Sequence, residues 1–384
     1  MVGLLASRFP VIGKGTDFPD FYCAARMVRE GYGRQLYDAA VQRRFQVLYG
    51  GRIGTLYIHP PFETLLYLTV AWLPLYPAYV GWCLVNLLVL AVAVWRIARD
   101  ALPGWDWRVL LVLSLTFVPV LLNFVQGQDA VVLLLLVVLA FGDLQRDRRV
   151  AAGCWLGLGL FKFHLVLPLA LVLALRRGRL GFAAGFTVVA AALVATSVAI
   201  SGWNVFTTYP HFLLHLREQP LAGAIPEAMA NLRGMVHLLL RSDTSAPGIA
   251  VLLFLSAGLF GLTLWEWRRS GASVEGGDLA FSNTIVFALL AGYHLNPHDL
   301  SLLLLPLALA LRYLTAKGNF PAESGQSKVS RYVLGFVALA LFLPPLHLLS
   351  LYLHAYVYVV VPLFALFAWN VGAIRQARTV QAEA

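Results

Sequence analysis

The chain has 384 residues, of which 60% are hydrophobic and 12% charged, and its mean hydropathy is +0.75. Soluble domains run at roughly 45–50% apolar and about 25% charged residues, so this composition excludes a water-soluble fold and points to an all-α polytopic membrane protein. The net charge of +10 sits in short loops between apolar spans, which is the positive-inside pattern and not a nucleic-acid surface.

Cys23, Cys83 and Cys154 are widely separated, which argues against a disulfide framework or a zinc site. Residues 1–14 hold only short apolar pieces broken by Arg8 and Pro10, too short for the roughly 20 residues a spanning helix needs. The first long polar-aromatic run covers residues 15–59. It opens on Thr16-Asp-Phe-Pro-Asp-Phe-Tyr22, then shows helical spacing to Glu30, where Gly31 and Gly33 stop it. A second amphipathic stretch runs from Asp38 to Tyr49. Both stretches read as helices lying on the membrane surface.

Apolar runs follow over residues 61–73, 78–98, 109–125 and 130–142. Arg96/Arg99/Arg108, Arg146/Arg148/Arg149, Arg176/Arg177/Arg179, Arg268/Arg269, the Arg312–Arg331 segment and Arg375/Arg378 should share the cytoplasmic side. Residues 126–129, the long loop 202–247, the 293–299 turn and residues 344–350 then face outside. On this count the 61–73 run does not cross. Residues 150–175 form a hairpin of two short helices with Lys162-Phe-His164 at its tip; the competing arrangement is a single buried span with Lys162 at mid-membrane. About eleven crossings result, in one integral-membrane domain over residues 1–384. An outward 15–60 segment needs an earlier span, so a first transmembrane helix is expected to be missing at the N-terminus.

Several polar residues stand out. Asp17 and Asp20 suit an N-cap and a first helical turn, and either could take a proton from an attacking hydroxyl. Lys162 and His164 interrupt an apolar run; intramembrane ionisable groups are costly, and the alternatives are a snorkelling lysine or a phosphate ligand. Asn296-Pro-His-Asp299 fits a capping box with Pro at the first helical position. That leaves His298 as an anion contact, with His294 just before it. Arg233, His237 and Arg241 fall on one helical face, either solvated or walling an anion site. Gln126-Gly-Gln-Asp129 is an outward turn offering Gln128 and Asp129, and His59-Pro-Pro-Phe-Glu63 places His59 and Glu63 near the outer cavity. No phosphate-binding glycine loop, HExxH or GxSxG motif is present.

The order of these pieces resembles the polyprenol-phosphate-dependent glycosyltransferases of the GT-C fold, specifically glycosyltransferase family 87, which includes mannosyltransferases. The pieces are Asp17-Phe-x-x-Phe-Tyr, Gly33-x-x-Leu-Tyr-Asp38, Pro60-Pro-Phe62, Gln126-Gly-Gln128, Gly153 to Lys162 with Pro168, Asn231-Leu-Arg-Gly234, and His298 leading to Pro306. The resemblance implies inverting transfer of a hexose, mannose by default, from a polyprenyl-phosphate sugar to a lipid-linked or glycan acceptor. The reaction would occur at the extracytoplasmic face of the plasma membrane. It implies a catalytic Asp17 with Asp20 as fallback. Donor-phosphate contacts would come from Lys162, His298 and Arg233, and substrate contacts from His164, His294, Gln128, Asp129, His59 and Glu63. No cofactor is required by the chemistry, and a divalent metal bridging an aspartate to the phosphate stays open. Asp129 where the family often has Asn, and Arg233 where Ser is common, are departures that bear on substrate identity. A transporter or flippase of lipid-linked sugars is the alternative; it would call for repeat symmetry, which the sequence does not show.

Overall fold

The computed structural model describes residues 16–51, 53–176, 179–215, 226–270, 274–315 and 325–383. The reading of residues 1–14 therefore lies outside the described residues, as does the middle of the 202–247 loop. The chain is all-helical, 82% helix, with no strand among the described residues. It is a multi-pass membrane protein.

Six helices are long and apolar enough to cross a bilayer, or up to eight when two bent pairs count as one span each. The count of about eleven is not reached. Apolar runs that sequence length alone would score as crossings turn out to be bent pairs, short helices and a hairpin. Trp107–Thr116 and Val118–Gln126, for example, meet at a 72° bend, where Phe117 leaves helical geometry just before Pro119.

In helix α1 (Phe18–Arg29), Phe18 through Ala25 and Met27 are all buried, so most of its surface is covered by the rest of the protein. It packs among the aromatic residues of α3 (Thr64–Leu68) and α4 (Leu75–Asp100). Phe21 stacks on Tyr67 at 4.6 Å and Tyr67 meets Trp82 at 4.4 Å. Between them, α2 (Ala39–Phe45) is capped by Asp38 and runs into a wider turn at Gln46–Gly50 that exposes Val47 and Leu48. The 61–73 run holds only the five-residue α3 and does not cross.

Helices α5 (Trp107–Thr116), α6 (Val118–Gln126) and α7 (Ala130–Gln145) lead to α8 (Arg149–Leu158), a tight turn at Gly159–Lys162, and α9 (Phe163–Ala174). Residues 149–174 are long enough for one crossing by composition, yet the packing shows that they double back. A straight rod of that length would hold its ends roughly 39 Å apart. The seven residues from Ala174 to Gly181 reach at most about 25 Å, while a Cβ on Gly181 would sit 3.4 Å from the Arg149 Cβ. So α8 rises, α9 returns, and α10 (Arg179–Ser201) rises again beside α8.

Glycine makes the α8–α10 contact possible. Gly153 and Gly157 on α8 face Gly181 and Gly185 on α10; a Cβ at Gly153 or Gly185 would lie 2.1 Å from the Phe182 or Val150 carbonyl oxygen. These are two facing GxxxG pairs, the device by which membrane helices bring backbones together.

The remaining helices are α11 (Val205–Leu214), α12 (Leu232–Leu240), α13 (Ala246–Arg269), α14 (Val274–Ala291), α15 (Leu304–Thr315), α16 (Gly325–Phe342), α17 (Pro344–Tyr352) and α18 (Val360–Glu383). The main core gathers α4 to α9 against α14, α15 and α18. Measured along their axes, α7 is about 24 Å and α8 about 15 Å long, against about 39 Å for α4. The short helices stop part-way through the bundle, and their far ends form the floor of the site.

Candidate active site

Four helices begin at one place. Asp17 precedes α1, Asp129 precedes α7, Lys162 precedes α9, and Asn296-Pro297 opens the turn Pro297–Leu303 that continues into α15. Each start carries about half a positive charge on unsatisfied N–H groups. That explains why carboxylates occupy three of these starts, Asp17, Asp129 and Asp299.

The turn before α7 is fixed by aromatic donors. Trp82 Nε1 donates to the Gly127 carbonyl at 2.9 Å, Tyr67 Oη reaches the same oxygen at 3.2 Å, and Tyr79 Oη donates to the Phe124 carbonyl at 2.9 Å. Gly127 has φ +66°, and a Cβ there would meet Phe18 at 2.5 Å. The turn therefore sits directly against the start of α1.

Asp17 makes no cap to its own helix. Its Oδ2 accepts from Gln128 Nε2 at 2.6 Å, and the residue is half-buried. Asp20, one turn on, is buried and accepts from Gln46 Nε2 at 3.0 Å and from the Thr55 hydroxyl. The two carboxylates do different jobs: Asp20 pins the 46–55 segment to α1, while Asp17 faces the turn.

Next to Gln128, the Lys162 Nζ lies 3.2 Å from Asp129 Oδ1 and 3.0 Å from Asp299 Oδ1, all three side chains being at most 2% exposed. The ammonium is therefore ion-paired on two sides, one positive charge between two carboxylates. Asp299 also accepts from the Asn296 N–H at 2.8 Å, completing the cap read from sequence. His298 is fully buried, and its Nδ1 lies 2.6 Å from Gln126 Oε1. His164 and His294 face each other with ring centroids 5.9 Å apart.

His59 Nδ1 lies 2.9 Å from Glu63 Oε2, and the Tyr57 hydroxyl is 3.4 Å from the same oxygen. Burial, reinforced by the Asp129 carboxylate beside it, lifts the Glu63 carboxyl well above its ordinary range, so it carries a proton toward Asp129. Burial, with the Lys162 charge adding to it, drops the His59 imidazole to about 3. Burial likewise lowers His294 to about 4. Both rings are neutral.

Arg233 stands one layer away. Its Nε donates to Asp243 Oδ2 at 2.6 Å, its Nη1 to the Tyr293 carbonyl at 3.2 Å, and its guanidinium lies over the Tyr293 ring at 4.1 Å. His237 contacts Asp243 and Glu227. Arg241 ends α12 with φ +56° and leaves the helical stripe. Although burial opposes it, bonds from Arg233 and His237 hold the Asp243 carboxyl below its ordinary value. The three-residue cationic wall is thus not formed; two of its members serve one carboxylate.

The fold brings together Asp17, Gln128, Asp129, Lys162, His164, His294 and His298, with His59 and Glu63 alongside. Sequence reasoning missed Gln126, Tyr57, and Asp299 as a partner of Lys162. A lone lysine in an apolar run demands a buried carboxylate, and that demand was the available signal. Among the described residues no group of three or more His, Cys, Asp or Glu side chains is arranged to hold a metal ion.

No curated protein and no solved structure matches the chain. One family description does: glycosyltransferase family 87, whose model matches residues 57–292, more than half of the chain. That interval includes the Gln126–Asp129 turn and Lys162 but not Asp17 or His298.

Proposed function

Given that the chain belongs to glycosyltransferase family 87, we propose that it transfers a hexose, mannose by default, from a polyprenyl-phosphate sugar to a lipid-linked or glycan acceptor. Transfer takes place at the extracytoplasmic face of the plasma membrane. Asp17 is the base. It accepts the proton of the acceptor hydroxyl as that oxygen attacks the anomeric carbon, the bond from that carbon to the phosphate oxygen breaks, and polyprenyl phosphate leaves with inversion.

The observation that carries this reading is a contrast in exposure. Asp17, with Gln128 on its Oδ2, is partly exposed, whereas Asp20, Asp129 and Asp299 are buried. The leaving phosphate gains charge as it departs. It must therefore be met by donors on the face of the sugar opposite the attacking hydroxyl.

The test is transfer from a polyprenyl-phosphate mannose by the purified protein in lipid nanodiscs. Asp17→Asn should lose at least about 1,000-fold in kcat, the scale of a removed general base with its positioning, while donor binding stays within a few-fold. An Asp17→Asn protein that still transfers sugar at the wild-type rate overturns the assignment.

A further inference from the structure

Resting on the sugar-transfer reading, we propose that the buried floor around Lys162 recognises the hydroxyl groups of the donor sugar and not its phosphate. The argument is one of hydrogen-bond polarity. Gln128 spends its Nε2 on the Asp17 carboxylate, so its amide orientation is set and Oε1 points away as an acceptor. That oxygen is buried and has no hydrogen-bond partner.

His298 follows the same logic. Its Nδ1 sits 2.6 Å from Gln126 Oε1, and in the tautomer that donates to that oxygen Nε2 keeps a lone pair. Nε2 is buried and receives no hydrogen bond; the nearest partner recorded for it is Asp299 Oδ1, itself an acceptor, at 3.6 Å. Asp299 Oδ1, beyond its ion pair to Lys162, receives no hydrogen bond, whereas Asp129 has the protonated Glu63 beside it as well as Lys162. Gln128, His298 and Asp299, each at most 3% exposed, thus keep unpaired acceptors in this floor.

The charges agree. One ammonium faces two carboxylates there, so the floor is net negative. A phosphate offers acceptors and negative charge only, and it would meet its own kind on every side. A pyranose ring offers several hydroxyl donors in a fixed arrangement and no charge. Lys162 then acts as a positioning residue that keeps Asp129 and Asp299 ionised and apart. The phosphate belongs away from this floor, and inversion requires it on the face of the anomeric carbon opposite the hydroxyl that Asp17 activates.

The experiment compares two probes on the full-length protein in nanodiscs: a polyprenyl-phosphate mannose and the same polyprenyl phosphate without sugar. The wild type should bind the sugar-bearing lipid at least about tenfold more tightly, the gap that one or two net hydrogen bonds produce. Asp299→Asn and Gln128→Met should bring the two affinities close together by weakening the sugar-bearing lipid alone. Thermal unfolding of each variant establishes that it is folded, and the second variant serves if the first is not. Variants that weaken both lipids equally would return the floor to a phosphate role, and variants that weaken neither would make it structural; either result overturns the proposal. A wild type that binds neither lipid would instead remove the donor assignment on which the proposal rests.

Discussion

The two ends of the bundle solve opposite electrostatic problems with the same parts. At one end α4, α7 and α15 finish, and arginines gather: Arg96, Arg99 and Arg146 close on Asp100 at 3.3, 2.9 and 2.7 Å, and Arg312 pairs with Asp278 at 2.9 Å. Cations belong at helix C-termini. At the other end α1, α7, α9 and the 297–315 segment start, and carboxylates gather around the single cation Lys162. One end has three cations on one carboxylate; the other has two carboxylates on one cation.

Exposure separates them further. Arg99 and Arg146 are 42% and 38% exposed, whereas Lys162 and its partners are at most 2% exposed. Water screens the first cluster and makes its members redundant. The second has no such relief, so each member is indispensable. A chain that places its least forgiving charges where four helices start has put a cost there that stability alone would not select.

The largest expected effect breaks that contrast directly. Lys162→Met leaves Asp129 and Asp299 buried without a cation and should cost about 3–5 kcal/mol, read as a collapse in denaturant midpoint in detergent. Arg99→Met leaves Asp100 two other arginines and should cost less than about 1 kcal/mol. Equal losses at the two positions would mean that burial does not distinguish the ends.

Close behind comes the packing that holds the Lys162 hairpin in place. Gly153→Val or Gly185→Val forces a side chain into a backbone carbonyl of the facing helix. Overpacking of this kind costs about 1–3 kcal/mol, occasionally more, and here it should also separate α8 from α10. Activity should fall more than stability does, because the hairpin tip moves with α8. Cysteine cross-linking between the two helices would report the separation.

A smaller pair compares turns. Gly127 and Gly104 both have positive φ, +66° and +94°, but only Gly127 has a neighbour, Phe18, where a Cβ would go. Gly104→Ala should cost about 1–2 kcal/mol from backbone strain. Gly127→Ala should add about 1 kcal/mol or more of overpacking and lower sugar transfer, since it pushes Gln128 away from Asp17. Transfer assays at matched folded fraction separate the two effects.

Much of this was legible in the residues. Hydropathy gave a helical membrane protein, the odd lysine in an apolar run marked the floor, and arginines at both ends of residues 149–176 required a chain that turns back. What was hidden is tertiary. The Lys162–Asp299 pair spans more than a hundred residues, and capping alone already explained Asp299. Periodicity could not show that Phe18 and Phe21 of α1 pack against Tyr67 and Tyr79, so it gave no sign of how much of that helix is buried. Nor could it show that Arg241 leaves α12 while Asp243 returns to take Arg233 and His237.

The smallest effect concerns protons beside the floor, and its sign follows from three groups. His59 and His294 are held neutral, at about 3 and about 4 against an ordinary 6.5. The unfolded chain therefore takes up two protons below pH 6.5 that the fold refuses, and stability falls as pH drops toward 4. Glu63 works the other way, since its raised carboxyl keeps a proton above 4.5 that the unfolded chain has lost; its contribution is fullest below 4.5 and fades as pH rises. Between pH 4.5 and 6.5 each of these two imidazoles steepens the decline toward acid and the carboxyl opposes it, each by up to about 1.4 kcal/mol per pH unit. Unfolding midpoints across that window should decline toward acid in the wild type, less steeply in His294→Gln, and more steeply in Glu63→Gln. A Glu63→Gln profile no steeper than wild type would show that the carboxyl is ionised beside Asp129.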